Sequence, residues 1–244
     1  MVSDRALNNQ LHGELLTVDW RGPDAVLETE AVLQRLGPEF LFDVVARALL
    51  DPMSDISPGM RELSVRKPTH IKYFLGGAAP DNSRGYTIWG HDYSQPMPSR
   101  GPFIEDLHNH RGDFASIQLG EPGEGFVEDR LVAPYDQPDR IAEGFWLPKD
   151  GEWQNVVTKK YEPGDTMVIR GRWDIHRVYD IGAALTFLVH GPRQRDETQV
   201  FRDGAMMTYP NFREQDFRAV SHLRQRLGMP AVPRADFMRR FHYH

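Results

Sequence analysis

The spacing of hydrophobic positions changes twice along this chain. Between about residues 24 and 60, apolar side chains recur three and four positions apart. Val26, Leu27, Val32, Leu33 and Leu36 make one stripe, and Phe40, Leu41, Val44, Val45, Ala48 and Leu49 make another. That period predicts two amphipathic helices. Gly37-Pro38 separates them. Pro38 suits the first position of the second helix, where an N–H would have no helical partner. Asp51-Pro52 ends that helix. Between about 61 and 210 the pattern becomes short apolar runs bounded by Gly, Pro, Asp and Asn. Strands are predicted at 71–75, 86–89, 115–119, 125–132, 155–161, 166–169, 176–179 and 185–190. Turn residues lie between them, as in Gly76-Gly77, Gly120-Glu121-Pro122-Gly123 and Glu162-Pro163-Gly164-Asp165. Many short strands punctuated in this way predict a sandwich or barrel.

The helical period returns between residues 211 and 227. Phe212, Phe217, Val220, Leu223 and Leu227 share a face there, and Gly228 and Pro230 come next. No repeat and no long linker divides the chain. It is therefore read as one domain over residues 1–244: a helical zone at 24–60, a β zone at 61–210, and a helix and tail at 211–244. The helices are expected to pack on the outside of the β structure.

Composition narrows the chemistry. With 40% hydrophobic residues, the 244-residue chain can fill a core of its own. A net charge of -6 and the lack of a basic run argue against nucleic acid as a partner. There is no cysteine, which excludes disulfides, thiolate metal sites and a thiol nucleophile. Metal chemistry must then use carboxylates and the chain's 10 histidines. The N-terminal residues lack the apolar stretch of a secretory signal, and no apolar run approaches bilayer length. A cytoplasmic protein without membrane contact is the expectation.

Leu107-His108-Asn109-His110 carries the strongest chemical signal. Histidines at i and i+2 on a strand point to one face, so both imidazoles can reach one ion. Such pairs also arise by chance. Later segments of the chain add weight: the turn Tyr161-Glu162-Pro163-Gly164-Asp165, the apolar run Thr166-Met167-Val168-Ile169, and then Trp173-Asp174-Ile175-His176-Arg177-Val178.

This succession, over roughly residues 101–192, resembles the two-motif signature of the cupin superfamily. The resemblance implies a mainly β, jelly-roll-like cupin barrel with helices at the N- and C-termini. It also implies one divalent metal ion held by His108, His110 and His176. Many cupins place a further glutamate ligand four or five residues after the second histidine. Phe114 and Ala115 stand there in this chain, so the implied site has three histidines and no carboxylate. Imidazoles suit Fe, Zn, Ni or Cu, and three of them leave positions open for substrate.

Three-histidine cupins include the thiol dioxygenases, of which cysteine dioxygenase is the best-known type. His176-Arg177-Val178, Gly191-Pro192, residues 198–203 and Trp89-Gly90 resemble that family's segments. This implies Fe(II) as cofactor, dioxygen as co-substrate and a small thiol or amino-acid-like substrate. The family's alternating Ser-x-His-x-Tyr falls on Thr186, Leu188 and His190, so the tyrosine's place is taken by His190. Its carboxylate-binding arginine has His70 and Lys72 as nearest counterparts. An insertion at 91–100 precedes the metal strand.

His190 reads either as a core histidine or as an acid–base group, since an ordinary pKa of about 6.5 suits proton transfer near neutrality. His91 and Tyr93 read as parts of a solvated loop or as a lid. Arg172, with Arg170, could bind an anionic substrate or pair with Asp174 and Asp180. His242-Tyr243-His244 repeats the HxH pattern at the chain end, where a metal role is not expected. The leading expectation is a mononuclear non-haem iron dioxygenase acting on a small polar molecule. The rivals are a redox-silent cupin isomerase or lyase and a small-molecule-binding module without catalysis.

Overall fold

The computed structural model describes residues 4–49, 65–66, 70–77, 85–94, 107–121, 123–131, 156–171, 174–194, 198, 200–202, 205–207, 225 and 228. The chain opens with helix α1 (Asp4–Leu15), which the hydrophobic pattern did not predict, and continues into α2 (Ala25–Asp43). Within α2, Gly37 takes φ 77° and ψ 161°, so the helix breaks at Gly37-Pro38 as expected. Glycine is suited to this left-handed φ because it has no Cβ to clash. One π-helical segment, Val44–Leu49, comes directly after. The predicted helix at 211–227 and the terminal HxH lie outside the described residues.

The strands are β1 (Val65–Arg66), β2 (Ile71–Gly77), β3 (Thr87–Asp92), β4 (Leu107–His108), β5 (Phe114–Leu119), β6 (Phe126–Leu131), β7 (Val156–Tyr161), β8 (Thr166–Ile169), β9 (Ile175–Tyr179), β10 (Leu185–His190), β11 (Val200–Arg202) and β12 (Ala205–Met207). They form two sheets, β1-β2-β3-β10-β5-β8 and β12-β11-β4-β9-β6-β7. From β3 to β10 the chain passes back and forth between the sheets, with only the β6–β7 hairpin staying in one. Strands β3-β10-β5-β8 thus face β4-β9-β6-β7, the double-Greek-key order of a jelly roll. Every register pairing in both sheets is antiparallel.

The first sheet is covered on both faces. On its outer face Ile71, Tyr73, Leu75, Ile88, Ala115, Ile117, Leu119, Leu185, Phe187 and Val189 pack with Leu7, Leu11 and Leu15 of α1 and Val32, Leu33 and Leu41 of α2. Its inner face contributes Phe114, Met167, Ile169 and Leu188, which meet Phe126, Tyr161 and Val178 of the second sheet. Double burial explains why β5 and β10 are largely apolar in sequence rather than alternating.

Three local expectations need correction. Leu27, placed on the buried stripe, is 45% exposed, because α2 turns that position away from the sheet. Strand β3 runs to Asp92, so the insertion at 91–100 does not begin as a loop. His91 and Tyr93 are buried, since pairing of His91 with Lys72 and Thr186 holds this stretch against the core.

Helix α1 is tied down by a contact that depends on pH. His12 Nδ1 lies 2.6 Å from the Tyr86 hydroxyl, and Tyr86 stacks on Trp20 at 5.1 Å between centroids. Burial lowers the His12 pKa below its ordinary 6.5. With a depressed folded pKa, the unfolded chain takes up the proton first. Stability from this site is therefore complete above about pH 6.5 and falls as the pH drops below it. His12→Gln should keep a polar group beside Tyr86 and flatten the fall. The check is denaturant unfolding of both proteins between pH 5 and 8, buffer limits of roughly that range bracketing the histidine titration; equal slopes would remove His12 as a contributor.

Candidate metal centre

Two neighbouring strands of the second sheet bring the histidines together. His108 on β4 pairs directly with His176 on β9. Strand β4 ends at His108, so His110 sits just past it rather than on the strand. Its backbone N–H donates to the Gly171 carbonyl at 3.1 Å. That bond stitches the first histidine motif to the turn before the second.

The stitch is tight. A Cβ added at Gly171 would lie 2.2 Å from the Gly112 carbonyl oxygen, and one at Gly112 would lie 2.5 Å from that of Pro192. The Gly171 N–H also donates to Asp113 Oδ1 at 2.9 Å. Three chain segments therefore meet backbone to backbone beside the histidines.

The three rings converge. His110 Nε2 and His176 Nε2 lie 2.9 Å apart. One nitrogen from each of His108, His110 and His176 falls within 4.8 Å of the others. Nitrogens bound to one ion at about 2.0–2.1 Å sit roughly 2.9–3.4 Å apart for bond angles between octahedral and tetrahedral. The His110–His176 spacing falls in that range, and the trio could hold one first-row divalent ion once its widest pair closes by about an ångström. Burial pushes the His110 pKa well below its ordinary value, and the His108, His176, His190 and Lys72 charges add to the depression. A neutral imidazole keeps its lone pair for a metal.

The position that many cupins give to a carboxylate ligand holds Phe114. Its ring meets His110 edge-on, with centroids 4.7 Å apart. Ala115 faces the helices. A carboxylate is present one layer further out. Glu128 on β6 is 2% exposed, and its Oε1 lies 2.8 Å from His176 Nδ1. Burial raises the Glu128 pKa, but the hydrogen bond and charge of His176 and the charge of Arg130 outweigh it and hold the carboxyl below its ordinary range.

Other groups face the same interior. The His190 ring lies 6.4 Å from that of His110 and 4.9 Å from Phe114. His190 Nε2 is buried with no hydrogen-bond partner in the structure. Burial, followed by the Lys72 charge, lowers its pKa well below the ordinary value. Lys72 extends its Nζ over the Trp89 ring, 4.3 Å from the centroid. His70 sits apart from the trio, stacked on His91 at 4.4 Å and tilted against Tyr93 at 4.7 Å.

The structure therefore brings together His108, His110 and His176, with His190 and Lys72 beside them, and sets His70 in a neighbouring aromatic cluster. Arg172 lies outside the described residues. The Asp174 carboxylate accepts the Arg170 backbone N–H at 2.8 Å and lies 3.6 Å from the Arg130 guanidinium. Sequence reading missed Glu128, Arg130 and Tyr161. The available signal was faint: in Phe126-Val127-Glu128-Asp129-Arg130, strand alternation puts Glu128 on the face of Phe126.

No family model matches the chain, and no curated protein matches it. Solved structures do. The DMSP lyase DddQ from Ruegeria pomeroyi DSS-3 aligns at 10% identity and TM-score 0.33, over 53% of this chain and 50% of the lyase. A cupin-2 domain from Rhodospirillum rubrum aligns at 16% identity and TM-score 0.36, over 60% of this chain and 78% of that domain. KdgF from Halomonas sp. aligns at 13% identity and TM-score 0.32, over 52% of this chain and 84% of that chain. The chain thus matches about half the length of the lyase. Assignment to a jelly roll rests on this chain's own strand order.

Proposed function

We propose that this protein is a mononuclear non-haem iron dioxygenase acting on a small polar molecule that carries an anionic group, such as a thiol acid or an amino acid. The observation that carries this reading is the three-imidazole cluster with the Lys72 ammonium and the unpartnered His190 Nε2 facing the same barrel interior. The motif likeness to thiol dioxygenases favours iron and dioxygen. Iron(II) held by three histidines would supply one-electron chemistry and open positions for substrate and dioxygen.

The chain's own groups have distinct tasks. The Lys72 ammonium, oriented by Trp89, pairs with the substrate's anionic group and sets which end approaches the histidines. His190, kept neutral by burial, gives or takes a hydrogen bond at the reacting end. Phe114, Leu188 and Trp89 supply an apolar wall beside the histidines that would keep water from the reacting end. His70, two residues before Lys72 and stacked on His91, would flank the lysine rather than join the trio.

The test is dioxygen uptake by Fe(II)-loaded protein, mixed anaerobically with small thiols and amino acids and then exposed to oxygen. Uptake should require substrate. Lys72→Met should raise KM about tenfold or more with a smaller change in kcat, as expected for loss of a charged contact of ~1.5–3 kcal/mol. His190→Ala should keep its iron and lose roughly a hundredfold in rate. Equal turnover with zinc and without oxygen would replace this reading with a redox-silent isomerase or lyase.

A further inference from the structure

We propose that Glu128 is the positioning carboxylate of the metal centre, locking His176 through Nδ1 so that its Nε2 faces the ion. This rests on the metal-centre part of the proposed function and is independent of dioxygen. Glu128 and His176 are 48 residues apart in sequence and meet only through sheet register. On β6 and β9, Glu128 pairs with Val178 and Arg130 with His176, so Glu128 is the diagonal neighbour of His176 on the inner face. Tyr161 on β7 is the diagonal neighbour on its other side. Tyr161, Glu128, His176 and His108 thus form a row across four adjacent strands, ending at the metal cluster.

Both carboxylate oxygens are spoken for. Oε1 faces His176 Nδ1 at 2.8 Å and accepts Arg130 Nε at 3.1 Å and Nη2 at 3.0 Å. Oε2 accepts the Tyr161 hydroxyl at 2.9 Å and Arg130 Nη2 at 3.0 Å. Asp174, 3.6 Å from Arg130 Nη1, holds the guanidinium from the far side. A carboxylate pinned at every lone pair cannot rotate away from the imidazole. It therefore selects the tautomer with hydrogen on Nδ1, which leaves the lone pair of His176 Nε2, 2.9 Å from His110 Nε2, to face an ion. Such a carboxylate–histidine–metal arrangement fixes ring orientation and raises ligand basicity. Phe114 occupies the place where a carboxylate would bind metal directly, so in this chain the negative charge reaches the ion through His176.

The experiment measures Zn(II) and Co(II) dissociation constants by chelator competition. It compares the wild type with Glu128→Gln, Glu128→Asp, Tyr161→Phe and the double variant Glu128→Gln/Arg130→Met, which leaves no guanidinium without its partner. The melting temperature of each metal-free protein is read alongside. In the Co(II) proteins, the exchange of the paramagnetically shifted imidazole N–H resonances with water reports on the Nδ1 proton. Glu128→Gln and the double variant should fold and lose about 10–100-fold in affinity for both ions. Glu128→Asp should recover part of it, and one imidazole N–H should exchange faster in Glu128→Gln and Tyr161→Phe. Wild-type affinity and exchange in the folded Glu128→Gln or double variant would reduce Glu128 to a structural ion pair. If neither folds, unchanged affinity and exchange in Tyr161→Phe would overturn the proposal. A wild type that binds neither ion would overturn both this proposal and the iron reading. Tight, Glu128-dependent binding without oxygen uptake would overturn the dioxygenase alone.

Discussion

His110→Ala is expected to leave a folded protein that no longer holds a stoichiometric metal ion. The ring contributes little to the fold itself. It is half-buried, packs edge-on against Phe114, and points its nitrogen at His176 Nε2 rather than at a backbone partner. The bond that secures this stretch comes from the His110 backbone N–H to Gly171, and alanine keeps it. What is lost is one of three ligands. Four-ligand structural sites bind zinc with about 10–16 kcal/mol, so one ligand is worth roughly 3 kcal/mol, or more than about a hundredfold in affinity. Metal analysis of the purified variant, set beside its circular dichroism, checks this. Full metal occupancy would exclude His110 as a ligand, and loss of the folded spectrum would mean that the ring serves the core.

Gly171→Ala should damage both stability and metal binding, although it adds a single methyl group. The added Cβ would meet the Gly112 carbonyl oxygen at 2.2 Å, its carbon at 2.4 Å and its nitrogen at 2.9 Å. All three are backbone atoms, so no side-chain rotation relieves the clash, and Gly112 is itself wedged against Pro192. The Gly171 loop must move away, which breaks the bond that its carbonyl accepts from His110 and the bond that its N–H gives to Asp113. Overpacking of this kind typically costs about 1–3 kcal/mol, and losing two buried hydrogen bonds adds roughly 1 kcal/mol each. The metal-free protein should therefore unfold about 3–5 kcal/mol more easily in urea. Zinc affinity should fall as well, since His110 and His176 are displaced relative to each other. An unchanged unfolding midpoint would show that the three segments do not meet backbone to backbone.

Much of the architecture was legible because it arises from local chemistry. The break at Gly37-Pro38 needed only a residue that tolerates positive φ next to one without an N–H. The turns before β6 and β8 were visible in their Gly, Pro and Asp residues. The His108–His110 pair stood out because its spacing is written in consecutive residues, and His176 through the resemblance of residues 161–178 to a cupin motif. Helix α1 was missed because its buried stripe is narrow. Leu7, Leu11 and Leu15 are separated by Asn8, Asn9, Gln10 and His12, which lowers the apolar signal below that of α2. Strand β3 was read too short because His91 and Asp92 look like loop residues, yet both are buried by their neighbours on β2 and β10.

By itself, then, the sequence determined a helical zone followed by many short strands, and one histidine pair, His108 and His110, spaced to share an ion. Those are properties of period, turn chemistry and spacing, which act within a few residues. Tertiary structure alone decided what surrounds the histidine trio. Glu128 reaches His176 because the register of β6 on β9 makes them diagonal neighbours, and a shift of one residue would turn Glu128 to the outer face. Lys72 and His190 come to the same interior from strands 118 residues apart (190 − 72) because β3 sits between β2 and β10 in one sheet. Gly171 lies against Gly112 because the β5–β8 pairing brings the ends of both strands together beside the histidine trio. Pairing between distant strands depends on which faces can be buried together across both sheets, and no local window of the chain contains that information.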